Sequence, residues 1–189
     1  MKKYLLMAAM MVATLTANAQ NDDLKNEIGV YYGFGSASNI AGIVGHGIFG
    51  SREKGSFVGP IGLEYFHHLS PVVALGAQVS YATCSYENTW GGPNDRMSFF
   101  TAMPSIKFNW HRRAHFGMYS GLSAGVLIMS ESVEAANKAH YDEDASSSAY
   151  FMFNVTAIGT EFGGEAFRGF AELGFGEKGV LCVGLRYKF

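Results

Sequence analysis

Val73-Ala74-Leu75-Gly76-Ala77-Gln78-Val79-Ser80-Tyr81-Ala82 alternates without a break between large apolar and small or polar residues. Val73, Leu75, Ala77, Val79 and Tyr81 share one face; Ala74, Gly76, Gln78, Ser80 and Ala82 share the other. A period of two is the signature of a β-strand with two chemically different faces. The pattern runs on to give a strand over about 72–86, and the same reading extends in both directions. The first strand, about 27–35, sets Ile28, Val30, Tyr32 and Phe34 against Gly29, Tyr31, Gly33 and Gly35. The fifth, 116–129, sets Phe116, Met118, Leu122, Ala124, Val126 and Ile128 against Gly117, Tyr119, Gly121, Ser123 and Gly125. The eighth, 181–189, sets Leu181, Val183, Leu185, Tyr187 and Phe189 against Cys182, Gly184, Arg186 and Lys188.

Four less regular strands complete the set: the second (56–66), fourth (97–110), sixth (148–162) and seventh (167–175). Pro60 and Pro104 fall inside the second and fourth, where each removes a ladder donor and predicts a bulge or break. Connections 36–55, 87–96 and 130–147 are long; those at 67–71, 111–115 and 163–166 are short. Gly176-Glu177-Lys178-Gly179 reads as a tight hairpin on the long-loop side. Asn39 to Phe49 is apolar enough for a short helix in the first long loop. The 24 glycines, the 14% aromatic content and the 16% charged content fit a strand-rich fold and argue against disorder. The net charge of −2 lacks the basic excess of a nucleic-acid partner.

Met1-Lys2-Lys3-Tyr4, the apolar run Leu5 to Leu15 and Ala17-Asn18-Ala19 read as the three parts of a secretory signal peptide. Its apolar core is too short to span a bilayer, which takes about 20 residues. The sequence thus divides into a signal peptide, 1–19, and a single β-domain, 20–189. Any membrane crossing by the second must use strands.

Alternation alone fits a water-soluble barrel or sandwich as well as a barrel in lipid. The less apolar face decides between them. It is mostly Gly, Ala and Ser, with isolated Glu64, Gln78, Lys107, Arg168, Glu172 and Arg186, too few charges for an exterior in water. A narrow eight-stranded barrel needs small inward residues, because its interior is only just wide enough for side chains. The large apolar face then meets lipid. Tyr65, Phe108, Trp110, Phe116 and Phe189 gather at the short-turn end. Phe34, Tyr81, Phe100 and Tyr150 gather at the long-loop end, as in two interfacial girdles. The predicted fold is an all-β, eight-stranded antiparallel up-and-down transmembrane β-barrel.

The terminal run Leu181 to Phe189 resembles the C-terminal strand signature of bacterial outer-membrane β-barrels. The glycine-rich hairpin Phe170 to Gly179 is similar to small barrels of the OmpX/OmpA-type outer-membrane β-barrel domain family. That resemblance implies a bacterial outer-membrane location, termini in the periplasm and long loops outside. It also implies recognition of the last strand, through Phe189, by the barrel-assembly machinery. Outer-membrane lipids and lipopolysaccharide would be the surrounding partners. The family is functionally mixed, so no catalytic residue is carried over.

Chemical motifs are sparse. Gly45-His46-Gly47-Ile48-Phe49-Gly50 matches G-x-G-x-x-G but lacks the strand–helix setting of a dinucleotide site. His111 and His115 flank Arg112 and Arg113, which oppose a cation, and His67-His68 reads as a solvated turn. Asp142-Glu143-Asp144 reads as a solvated loop face, with weak calcium binding as the sharper reading. His68-Leu69-Ser70 resembles the His-x-Ser element of lipid A deacylases, yet the topology puts it at the periplasmic rim. No catalytic, cofactor-binding or metal-binding residue is assigned, and no cofactor is expected. The leading reading is an outer-membrane protein with a structural or surface-interaction role. It is porin-like in architecture, but eight strands leave no open aqueous channel. The alternatives are a lipid A-modifying acyl hydrolase or acyltransferase, and a soluble periplasmic lipid-binding barrel. The apolar first loop, with Ile40, Ile43, Val44, Ile48 and Phe49, either extends or plugs the barrel mouth or meets a surface partner.

Two expectations concern the interior. Glu64, Lys107, Arg168, Glu172 and Arg186 should point inward and share hydrogen bonds, with Arg186 the partner of Glu172. Cys84 and Cys182 also face inward, but two whole strands separate theirs, or about 14 Å along the wall. A bridge needs Cα atoms within about 7 Å. Thiol titration of the denatured, unreduced protein should therefore count two free groups per chain; a mapped Cys84–Cys182 bridge would refute the strand order.

Overall fold

The computed structural model describes residues 25–38, 54–87, 94–113, 115–134 and 147–189. The leader, the apolar first-loop residues 40–49 with their Gly45–Gly50 motif, and the acidic run 142–144 lie outside them. Eight strands follow in chain order: β1 (Asn26–Phe34), β2 (Lys54–His68), β3 (Val73–Glu87), β4 (Asn94–Arg112), β5 (Phe116–Glu134), β6 (Ser147–Gly163), β7 (Phe167–Gly176) and β8 (Leu181–Lys188). Each pairs antiparallel with its sequence neighbours, and β8 closes on β1 to complete the barrel. Asn26 and Phe189 exchange backbone hydrogen bonds of 2.9 and 2.8 Å, so the chain's last residue seals the seam.

Period-two alternation becomes an inside-out distribution. Val30, Leu63, Leu75, Leu122, Leu173 and Leu185 stand exposed on the outer face, and charged side chains are buried within. Short turns join β2–β3, β4–β5 and β6–β7 at one end, closed by bonds such as Leu69 N–H to Val73 O at 3.0 Å and Gly164 N–H to Phe167 O at 2.9 Å.

The wall has uneven height. β4 and β5 have 19 residues each, longer than the sequence reading, whereas β1 has 9, β7 has 10 and β8 has 8. Pairing of β1 with β2 ends at Tyr32↔Ile61, and that of β6 with β7 ends at Asn154↔Gly176. The upper parts of β2 and β6 therefore rise past their short neighbours.

Two local expectations need amendment. Pro60 does sit at a register shift, between Val58 and Ile61. Pro104 causes none: it faces Ala77 on β3, and the β4–β5 register is the same on both sides of it. A proline removes one donor toward one neighbour only, so the other ladder can hold the register. Tyr150 does not belong to the outer aromatic belt. It pairs with Leu127, which is buried in the lumen, and directly paired residues share a face. Its 50% exposure comes from facing inward at the rim, while its neighbour Phe151, 75% exposed, is on the outside. The β7–β8 connection is the tight hairpin expected, closed by Gly179 N–H to Gly176 O at 3.2 Å, and it is tucked in: Glu177 and Lys178 are both buried.

Candidate functional site: the ionised lumen

The lumen is built on glycine spacing. On β1, Gly29 lies between Arg186 of β8 and Glu64 of β2 in the ladder. A Cβ there would press to 2.9 Å against the Glu64 carboxylate. With hydrogen in its place, the Arg186 side chain reaches past β1 to Glu64. Gly159 serves Tyr119 in the same way, because a Cβ at that position would overlap the ring.

Arg186 is the hub. Its Nε donates to Glu64 Oε1 at 3.0 Å, its Nη1 to Glu161 Oε2 at 3.1 Å, and its Nη2 to the Tyr119 hydroxyl at 3.3 Å. Nη2 makes a further short contact with Glu64. The guanidinium carbon also lies 4.3 Å from the Phe170 ring centroid, a cation–π arrangement. Beside it, Lys178 Nζ donates to Glu64 at 2.7 Å and to Glu172 at 2.8 Å. Tyr119 Oη and Thr156 Oγ1 donate to Glu172 at 2.7 and 3.1 Å. Nearer the short-turn end, Lys107 donates to Glu27 at 2.5 Å, and Arg168 and Lys188 donate to Glu161 at 2.9 and 2.5 Å. Four carboxylates and five cations are thus interlocked among the described residues, and each is bonded to an opposite charge. Such pairing is what permits ions in a low-dielectric interior.

All five sequence-assigned lumen residues, Glu64, Lys107, Arg168, Glu172 and Arg186, are here and buried. The specific pairing differs. Glu172 is held by Lys178 and Tyr119, while Arg186 stands 3.8 Å from it and gives its bonds to Glu64 and Glu161. Glu161 was missed because β6 carries a bulge at Ala157, where the register shifts against both β5 and β7. One extra residue reverses the facing of everything beyond it. Lys178 was missed because turn lysines ordinarily point to water. Glu27 could have been found by extending the first strand's alternation two residues back from Gly29.

The histidine motifs come apart. His68, expected in a solvated turn, is buried with Nε2 3.1 Å from Glu27 Oε2. Its inward facing continues the β2 alternation past Glu64 and Phe66. Ser70 Oγ instead accepts the Val72 and Val73 amides at 3.3 and 3.0 Å, capping the β2–β3 turn. His68 and Ser70 therefore have separate structural partners. His111 packs edge-on against Phe116, whereas a ring nitrogen of His115 bonds the Gly163 carbonyl at 3.0 Å. Cys84 and Cys182 are both buried and form no disulfide, matching the expectation.

Above this charged layer the inner face changes character. Ala82, Cys84, Phe99 and Leu127 form a buried apolar cluster, with Phe57, Met97, Met129 and Met152 packed half-buried against it. Glu177, on the tucked β7–β8 turn, accepts a hydrogen bond from Ser38 Oγ at 3.0 Å. Burial pushes its carboxyl up to about 7, against the opposing effect of the Ser38 bond.

The class defined by these features is a closed eight-stranded antiparallel barrel with an apolar exterior and an ion-paired, side-chain-filled lumen. No family model matches the chain, and neither does any curated protein sequence. Among solved structures it is similar to the attachment invasion locus protein Ail of Yersinia pestis, crystallised with the heparin analogue sucrose octasulfate. That match has 12% identity and a TM-score of 0.48, covering 87% of this chain and 98% of the other. A second Ail structure matches at 11% identity and TM-score 0.47, with the same coverage. The N-terminal β-barrel domain of Pseudomonas aeruginosa OprF matches at 16% identity and TM-score 0.44, covering 88% and 98%.

Removing the hub should expose the energetics. Arg186→Met leaves Glu64 and Glu161 without their guanidinium, and unfolding stability should fall by about 3–5 kcal/mol. A lowered urea midpoint reports that loss, and Arg186→Lys, which keeps the charge but not the fork, should recover only part of it. The Glu177 carboxyl supplies a pH test. Because folding raises its pKa from 4.5 to about 7, its contribution to stability is full below pH 4.5 and declines as pH rises through 7. Relative to Glu177→Gln, the wild-type protein should therefore lose stability between pH 5 and 8. A difference that is flat over that range would contradict the assignment.

Proposed function

We propose that the chain is an integral protein of the bacterial outer membrane with a structural or surface-interaction role and no catalytic centre. The carrying observation is the inverted distribution of chemistry, with exposed Leu, Val, Ile and aromatic side chains outside and paired charges inside. That exterior would be unfavourable in water, and exposed apolar surface of this extent fits lipid. The surrounding partners are then outer-membrane lipids and lipopolysaccharide. The strand ending in Phe189, whose backbone closes the seam with Asn26, is the element offered to the barrel-assembly machinery. Arg186, Tyr119, Lys107, Phe170 and Met103, all nearly inaccessible, occupy the interior, which favours a filled barrel over a diffusion channel. The separate partners of His68 and Ser70, Glu27 and the β2–β3 turn amides, support a structural rather than a catalytic role for the His-x-Ser element.

Fractionation tests the reading directly. The protein should sediment with outer membranes and show a mobility shift on gels between unheated and boiled samples. Recovery from the periplasm as a soluble protein without that shift would replace this reading with the soluble lipid-binding barrel. A changed lipid A acyl pattern on expression, seen by mass spectrometry, would replace it with the enzyme.

A further inference from the structure

The turn between β4 and β5 carries two adjacent arginines, Arg112 and Arg113, within the run Trp110-His111-Arg112-Arg113-Ala114-His115-Phe116. Both side chains are exposed, and among the described residues neither makes a hydrogen bond or an ion pair. The lumen cations behave differently: Lys107, Arg168, Lys178, Arg186 and Lys188 are all buried against carboxylates. Glu161, the lumen carboxylate at this end, is already taken by Arg168, Arg186 and Lys188. Glu165, on the neighbouring short turn, is exposed and pairs with neither arginine. Two like charges set side by side without a counterion favour an anion at that place.

The backbone that carries them is fixed. Arg113 N–H donates to Phe116 O at 2.7 Å, and Arg113 O accepts from Arg168 Nη2 at 3.3 Å. Gly163 N–H donates to His115 O at 3.1 Å, and a His115 ring nitrogen lies 3.0 Å from Gly163 O. These bonds tie the turn to its neighbour between β6 and β7. The guanidinium groups are therefore free ends on a rigid base, which keeps the backbone-ordering cost of binding low.

The wall next to the turn sets its depth and its second chemistry. Phe100 and Trp110, both exposed on the outer face, lie ten residues apart on β4. A tilted strand crosses a bilayer core in about 9–11 residues, so these two mark its limits. Arg112 and Arg113, two and three residues beyond Trp110, stand at headgroup depth. Phe116 pairs with Phe162, and both are exposed on the outer face beside Trp110. The guanidinium fork suits a phosphate, which it bonds bidentately, and the aromatic wall suits acyl chains. A cell-wall glycan or peptide offers no acyl chain to that wall.

We propose that the β4–β5 turn binds the phosphodiester headgroup of an anionic glycerophospholipid in the leaflet around the short turns. Arg112 and Arg113 hold the phosphate, and the acyl chains lie along Trp110, Phe116 and Phe162. This assignment rests on the membrane-embedded reading above. Net charge selects the lipid, because the ammonium group of a zwitterionic headgroup opposes the two arginines.

The test uses the whole barrel in nanodiscs holding equal amounts of dimyristoyl phosphatidylglycerol and dimyristoyl phosphatidylcholine, which share their chains and phosphodiester. Native mass spectrometry counts the lipids retained on the released barrel. Phosphatidylglycerol should be enriched about fivefold, the scale of one basic residue at an anionic membrane surface. Arg112→Gln/Arg113→Gln should return to the nanodisc ratio, and Arg112→Lys/Arg113→Lys should keep part of the enrichment. Arg96→Gln, which alters an exposed arginine at the opposite rim, should leave it unchanged. No enrichment, full enrichment in the double Gln variant, or equal loss in Arg96→Gln would each overturn the proposal. Displacement of the lipid by inorganic phosphate would overturn it in favour of a free-anion site. Barrels that keep the heat-dependent mobility shift but show no enrichment overturn this proposal alone. Barrels that lack the shift overturn the membrane-embedded reading with it.

Discussion

Arg186 and Glu64 meet across β1 because the residue between them, Gly29, has no side chain. Much of the interior depends on that contact. A barrel of eight strands has room inside for one layer of large side chains at each level, and every such residue must be faced by a small one. Glycine and ring therefore alternate around the wall, as at Gly159 and Tyr119 or Gly184 and Phe170. The charges that occupy the remaining space are tied to one another through Arg186, Glu161 and Glu172. Ion pairs of this density add little net stability over an apolar filling, but each one becomes indispensable once its partner is buried.

The uneven wall divides the interior into two chemical levels. Where all eight strands contribute, the lumen is ionic and closed by side chains. Where only the taller strands continue, Phe99, Leu127 and the three methionines give an apolar concave face. The tucked β7–β8 turn joins the two levels. Lys178 reaches down to Glu64 and Glu172, whereas Glu177 stays above with Ser38 and Thr101. Adjacent residues of one turn thus serve opposite surroundings, which explains why the turn is buried rather than displayed.

The resemblance to outer-membrane barrels rested on Phe189 and the alternation before it, and the structure gives that terminus a physical task. Its backbone bonds to Asn26 close the cylinder. A sheet edge left open there would expose unpaired donors and acceptors, which a barrel avoids only by closing. Tyr187 and Phe189 stack with ring centroids 5.9 Å apart, which places the chain's last aromatic on the outer face beside the seam.

The eight strands, the outward apolar face and the five inward charges Glu64, Lys107, Arg168, Glu172 and Arg186 were all legible in the sequence. Each follows from a period of two over a few residues, a property that neighbours in the chain settle locally. The same rule failed where locality failed. Ala157 reverses the facing of β6 and hides Glu161; Tyr150 looks like a girdle residue until its register with Leu127 is known; Pro104 leaves its ladder in step. His68 and Lys178 look like solvated turn residues until the barrel closes over them. Ion pairing was the least readable feature, since Arg186 finds Glu64 at a separation of 122 residues. The sequence by itself determined which side chains face inward along an unbroken strand. Bulges, register and closure, which set the distances across the lumen, decided which charge meets which.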